Sequence, residues 1–152
     1  ETIDLESNQD DFKNFYERKN NISKFIEVRN QNLLRSNKIN FREINSINLI
    51  NYKKKYDLIW IDGAHGYPVV CMDILNSIKL IRAGGYIICD DIHVNSIKSD
   101  KMYRSNAGNE TLNELKKEGI INFDLIFKRL DAENNCLEEN RKFIAIVSLT
   151  TS

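Results

Sequence analysis

Apolar positions along this chain switch between two spacings. Short continuous apolar runs closed by acidic or amide residues alternate with stretches in which apolar residues recur at the helical period. The clearest strand is Tyr56 to Asp62, and Tyr86 to Asp90 is the next. Between them Val70, Ile74, Ile78 and Ile81 fall on one helical face, with Pro68 suited to the first turn and Gly84-Gly85 to a left-handed cap at its end. A strand-helix-strand unit this short joins parallel strands by a right-handed crossover.

The flanking segments extend the alternation. Thr2 to Glu6 is a strand-like run ending in acids. Asp10 to about Arg35 has a helical pattern through Phe12, Phe15, Tyr16, Ile22, Phe25, Ile26 and Leu33, with a break near Asn20-Asn21. Asn40 to Ile47 reads as a further strand. Beyond a polar, irregular stretch from Asn95 to Asn109, a short helix runs to Lys117 with Gly119 as its stop signal. Phe123 to Leu130 and Arg141 to Leu149 read as strands, and the loop Asp131 to Asn140 between them predicts an antiparallel pair. The order predicts an α/β fold: a Rossmann-like, doubly wound, mostly parallel sheet with an antiparallel C-terminal strand pair, in a single domain over residues 1–152.

Composition narrows the class. The 152 residues are 41% hydrophobic, enough for one domain to bury a core. Twenty-two basic residues balance 22 acidic ones, so net charge gives no argument for nucleic acid or an anionic membrane. No apolar stretch approaches a membrane span, and a cytoplasmic protein with no secretory leader is expected. The three cysteines, Cys71, Cys89 and Cys136, lack metal-ligand spacing and read as reduced, packed thiols. A chain that opens on Glu1 and enters a strand-like run at once is expected to be part of something longer.

Candidate chemistry sits where the two clearest strands end. Asp62 closes one, followed by Gly63-Ala64-His65, and Asp90-Asp91 close the other, followed by Ile92-His93. Ligand crevices of parallel sheets lie at such strand ends. Taken singly, Asp62 fits a helix cap and Asp90-Asp91 fit turn residues. Taken together, three carboxylates on adjacent strand ends suit a hard cation such as Mg²⁺, which takes about six oxygens in octahedral geometry. On the residues alone His65 is a solvated loop histidine. His93 reads as structural or substrate-facing, Trp60 as core, and Cys89 as a small buried residue. Lys53-Lys54-Lys55 reads as a solvated loop, and Tyr103 and Arg104 fall where substrate-recognising loops occur.

The stretch Asp57-Leu-Ile-Trp-Ile-Asp62-Gly-Ala-His65, the helix leading to Gly84-Gly85, and Tyr-Ile-Ile-Cys-Asp90-Asp91 resemble the second half of a class I S-adenosylmethionine-dependent methyltransferase. More narrowly they resemble the metal-dependent O-methyltransferases typified by macrocin and macrolide-sugar enzymes, with catechol-type enzymes as more distant relatives. The terminal strand pair matches that fold's reversed last hairpin. The resemblance implies a divalent cation, Mg²⁺ or similar, on Asp62, Asp90 and Asp91, and a general base at His65. It implies S-adenosylmethionine as cofactor, its ribose held by Asp4 with Glu6 as fallback, its adenine near Asn45-Ser46, and Asp62 beside it. The family's first strand and Gly-rich turn have no counterpart here. That strand would lie between Thr2 to Glu6 and Tyr56 to Asp62, so weak or absent cofactor binding by these residues alone is expected.

The expected activity is methyl transfer to a hydroxyl of a small molecule, a sugar or glycoside among the candidates, by a truncated catalytic domain that can form homo-oligomers. The alternative is a non-catalytic, methyltransferase-like binding or scaffold domain that has lost the cofactor turn. A metal-dependent hydrolase ranks last, because nothing supplies a second metal or an oxyanion site.

Overall fold

The computed structural model describes residues 1–10, 12, 13, 21–96, 104–130 and 141–150. Two compact units divide the chain, Glu1–Leu49 and Ile50–Ser152.

In the first unit β1 (Thr2–Asp4) and β2 (Phe41–Glu43) pair in parallel, Thr2 opposite Phe41 and Asp4 opposite Glu43. Helix α1 (Ile22–Leu33) begins after Asn21, whose side chain accepts the Lys24 N–H at 3.1 Å and so satisfies a donor that the helix cannot. The expected break therefore falls at a helix start; Phe15 and Tyr16 lie outside the described residues. Arg29 of α1 ties both strands together. Its guanidinium donates to Glu43 at 2.6 Å and to Asp4 at 3.4 Å, and lies 4.7 Å from the Phe41 ring centroid. β2 is shorter than the expected Asn40 to Ile47. The Asn45 side chain accepts the Ile47 N–H at 3.0 Å and Ser46–Asn51 coils into a 3₁₀ helix, a local bond that draws the backbone out of the ladder.

The second unit contains β3 (Tyr56–Ile61), α2 (Val69–Leu80), β4 (Ile81–His93), α3 (Ala107–Lys117), β5 (Ile121–Leu130) and β6 (Arg141–Leu149). The strand order is β3-β4-β6-β5, with β3 and β4 parallel and β6 antiparallel to both its neighbours. Ile74 of α2 and Leu112 of α3 are fully buried with Ile87 and Cys89 of β4 and Ala145 and Val147 of β6. Each large aliphatic side chain so buried contributes about 1.5–3 kcal/mol before chain entropy is counted. Gly119 has φ +71°, and α3 stops just before it, as its sequence predicts.

Two expectations are corrected here. Helix α2 ends at Leu80 rather than at Gly84-Gly85, and Ile81 is already extended, with φ −73° and ψ 145°. Gly84, at φ +78°, lies instead inside β4, where the register slips between Tyr56–Ile81 and Leu58–Tyr86. A Cβ on Gly85 would stand 2.7 Å from the Asp57 carbonyl oxygen, so the glycine pair permits a strand bulge rather than a helix cap. The second correction is Trp60, which is 54% exposed instead of core. It shares its face with Leu58 and Tyr86, while α2 and α3 pack on the other face. The described strands form two sheets, β1-β2 and β3-β4-β6-β5, as expected of a chain without a strand to join them. Among the described strands β3 stands at one end of its sheet, and the face that carries Trp60 is exposed. No helix among the described residues is long and apolar enough to cross a membrane.

Candidate active site

Strand register assembles the site. Ile61 of β3 pairs with Cys89 of β4, so Asp62 and Asp90 each lie one step past a matched pair, at the same edge of the sheet. This is the placement the crossover predicted. Because β6 runs antiparallel to β4, its first residues return to that edge: Lys142 stands opposite His93 on one side and Arg129 on the other.

Two bulges re-aim the side chains there. Between the pairs Cys89–Ala145 and Ile92–Phe143, Asp90 and Asp91 together oppose one residue of β6. Asp91 takes φ +51°, a left-handed conformation that aspartate tolerates better than most residues, at a cost on the order of 1 kcal/mol. On the far side of β6, between Phe127–Phe143 and Arg129–Lys142, Lys128 is the extra residue. Bulges of this kind commonly redirect a side chain next to a functional site.

The redirected groups meet. The Lys128 ammonium donates to both oxygens of Asp90, at 2.6 and 2.7 Å, and to Asp91 Oδ1 at 2.9 Å. Lys142 donates to Asp91 Oδ2 at 2.8 Å, and Arg129 reaches the same oxygen at 3.4 Å. The Lys142 side chain is only 6% exposed and those of Asp90 and Asp91 only 8% and 12%, so the Lys142–Asp91 pair is largely buried, while Lys128 is partly and Arg129 well exposed. For Asp91, burial alone would raise the carboxyl pKa, but hydrogen bonds from Lys142 and Lys128 outweigh it and hold the group well below the carboxylate range. For Lys128, burial opposes the charge while its bonds to Asp90 and Asp91 raise the pKa overall.

The end of β3 has another character. Asp62 is solvent-exposed, and its pKa is raised, first by burial of part of its surroundings and then by repulsion from Asp90 and Asp91. It feels Lys128 and Lys142 only as charges at a distance. His65, on the loop between β3 and α2, is half-buried, and burial lowers its pKa against the pull of Asp91. A histidine so shifted is a neutral imidazole near pH 7, able to accept a proton. The structure thus brings both Asp62 and His65 within electrostatic reach of Asp90 and Asp91.

The remaining candidates are placed as follows. Asp4 ends β1, where its carboxylate accepts the Leu5 N–H at 2.8 Å and pairs with Arg29. Glu6 is exposed, and Asn45 and Ser46 form the turn into the 3₁₀ helix; all four belong to the first unit. His93 is fully buried, and Cys89 is buried with its thiol pKa pushed up to about 12 by burial and by Asp73, which fits an unreactive core residue. Tyr103 and Cys136 lie outside the described residues.

A divalent ion was expected on Asp62, Asp90 and Asp91, and the residues present do not fit it. All four oxygens of Asp90 and Asp91 already accept from cationic side chains. Among the described residues, no group of three His, Cys, Asp or Glu side chains could hold a metal ion. The acids were legible in sequence and the lysines were not singled out. Their signal was present in Lys128-Arg129 and Arg141-Lys142, which flank the predicted hairpin loop. In an antiparallel pair next to β4 that loop must lie at the acid edge.

Residues 2–92 match the sequence model of a family described as a methyltransferase domain. No curated protein matches significantly. Among solved structures, cofactor-bound Rv0187 from MTB is similar over 86% of this chain and 59% of its own, with 18% identity and a TM-score of 0.61. An O-methyltransferase from Bacillus cereus in complex with SAH matches over 84% of this chain and 59% of its own, with 15% identity and a TM-score of 0.58. TehB from Haemophilus influenzae matches over 85% of this chain and 47% of its own, with 20% identity and a TM-score of 0.53. At these identities the likeness is one of fold, and the chain spans about half to three-fifths of the length of these proteins.

Proposed function

The chain belongs to the methyltransferase-domain family, and from that premise we propose that it is the catalytic part of an S-adenosylmethionine-dependent O-methyltransferase acting on a small-molecule hydroxyl, a sugar or glycoside among the candidates. One observation carries the reading: His65 sits beside the carboxylate-lined strand ends with its imidazole kept neutral by burial. An alkyl hydroxyl is a poor nucleophile at neutral pH, and a positioned neutral imidazole is the group that can take its proton.

S-adenosylmethionine, when bound, supplies an electrophilic methyl group on a sulfonium. Asp4, at the end of β1 and 29% exposed at its side chain, has a carboxylate suited to a ribose diol, with Glu6 as the alternative. Asn45 and Ser46, in the turn after β2, are the adenine-side candidates, and Asp62 is the candidate from the second unit. His65 accepts the substrate proton and later releases it to water. The position of β3 at the end of its described sheet supports a further part of the reading, that the whole enzyme carries another strand there.

Calorimetric titration of S-adenosylmethionine and S-adenosylhomocysteine against this chain and an N-terminally extended one tests the proposal. Binding by the extended chain, weak or absent in the shorter one, is the expected result. A second reading, a non-catalytic binding domain of methyltransferase fold, is favoured by the division of the described strands into two sheets. Failure of both chains to bind cofactor would select it.

A further inference from the structure

We infer that Lys128 and Lys142 are the resident cations of this site, and that methyl transfer here needs no divalent metal ion. The inference rests on the methyltransferase reading and specifies how its carboxylates are balanced.

Lys128 makes three contacts with Asp90 and Asp91, at 2.6, 2.7 and 2.9 Å, which use all the donors an ammonium group has. Lys142 fills the remaining Asp91 oxygen at 2.8 Å from a side chain only 6% exposed. Mg²⁺ would need such oxygens at about 2.0–2.1 Å in near-octahedral geometry. To reach them it would have to expel Lys128 toward solvent and bring a dication against the buried Lys142 ammonium that already holds Asp91. Like charges in a poorly hydrated site repel far more strongly than in water.

Backbone geometry argues that the arrangement is built in and is more than a choice of rotamer. Lys128 is the extra residue of one bulge, Asp90 and Asp91 lie in the other, and β6 runs between the two. Each bulge interrupts a ladder, and Asp91 also bears a left-handed φ of 51°. A regular pairing would avoid both costs and would lose the contact.

The reaction balances without a metal. The substrate O–H bond breaks with its proton passing to the His65 imidazole. The oxygen forms a bond to the methyl carbon as the carbon–sulfur bond breaks, and that electron pair stays on sulfur. The positive charge of the sulfonium ends as the proton on imidazole.

Thermal unfolding of the full 152-residue chain, with EDTA and then with MgCl₂ or MnCl₂ at about 10 mM, tests the inference. The expected result is a Tm constant to within about 1 °C, whereas a site with Kd near 0.1 mM would raise it by about 5–10 °C. A rise of that size in the wild-type chain, lost in Asp90→Asn, would overturn the inference. Lys128→Met, which takes the ammonium from both Asp90 oxygens and leaves Oδ1 with only the Asp91 N–H among its described donors, is expected to gain a Mg²⁺-dependent Tm. If that variant does not fold, the wild-type titration still decides. The metal titration contains no cofactor, and the cofactor titration is run in EDTA. Cofactor binding by the extended chain together with a Mg²⁺ response therefore sinks the inference alone, while absent cofactor binding by both chains sinks the methyltransferase reading.

Discussion

The ends of β3 and β4 look alike in sequence, each an apolar run closed by carboxylate and, three residues on from Asp62 or Asp90, a histidine. In the folded chain they are opposites. Asp90 is buried and Asp91 half-buried, both lie in a bulge, and both accept from ammonium groups. Asp62 is exposed with a raised pKa, and His65, three residues on, is half-buried with its pKa lowered. The histidines differ in the same sense, since His93 is fully buried. The end of β4 is tied by ion pairs to β5 and β6; the end of β3 is where the proposed reading places proton transfer. Two strands with the same signature differ because β4 has a cation-bearing neighbour in β6, whereas β3 stands at the end of the described sheet.

Breaking the β4 end should have the largest effect. Lys142→Met leaves Asp91 without one of its buried partners, and a loss on the order of 3 kcal/mol in unfolding free energy is expected from urea titration. Lys142→Arg, which keeps the charge, should restore much of it. Near-wild-type stability in Lys142→Met would show that the pair is open to water after all.

At the β3 end the effect should fall on rate and spare stability. His65→Ala, in a chain that binds cofactor, is expected to lower methyl transfer by roughly a hundredfold or more with cofactor affinity nearly unchanged. Near-normal turnover would reduce His65 to a loop residue.

The two ends should also separate by pH. With its pKa lowered, His65 stays neutral below its ordinary range, so the acid limb of kcat against pH should fall below about 6.5. Stability responds elsewhere on the scale. A carboxylate with a depressed folded pKa contributes stability that is fully present above its unfolded value and lost as pH falls through the folded one. For Asp91 that loss should begin only below about pH 4, and Asp91→Asn should remove it. An acid limb of the rate that coincides with the unfolding transition would erase the distinction.

The smallest effect should come from Asp62→Asn. Asp62 carries a raised pKa, so its charge is disfavoured in the fold and removing it should be neutral or slightly stabilising, by less than about 1 kcal/mol after solvent screening. A marked destabilisation, seen as a lower urea midpoint, would mean that Asp62 holds a structural bond like those of Asp90.

By itself the sequence determined the β3-α2-β4 crossover, the antiparallel pair β5 and β6, the stop at Gly119 and the convergence of Asp62 with Asp90 on one edge. These follow from local periodicity, turn chemistry and the single hand of parallel crossovers, all of which are written in short windows of chain. Tertiary structure alone decided what lay between distant residues. Lys128 and Asp90 are 38 positions apart, and Lys142 and Asp91 are 51 apart. Two bulges, invisible to any hydrophobic pattern, turn those side chains toward one another. The exposure of Trp60 has the same origin, because an apolar run specifies a strand but says nothing about whether a neighbour is present to cover it. Which carboxylates are neutralised and which remain free to act is therefore a property of strand order and register.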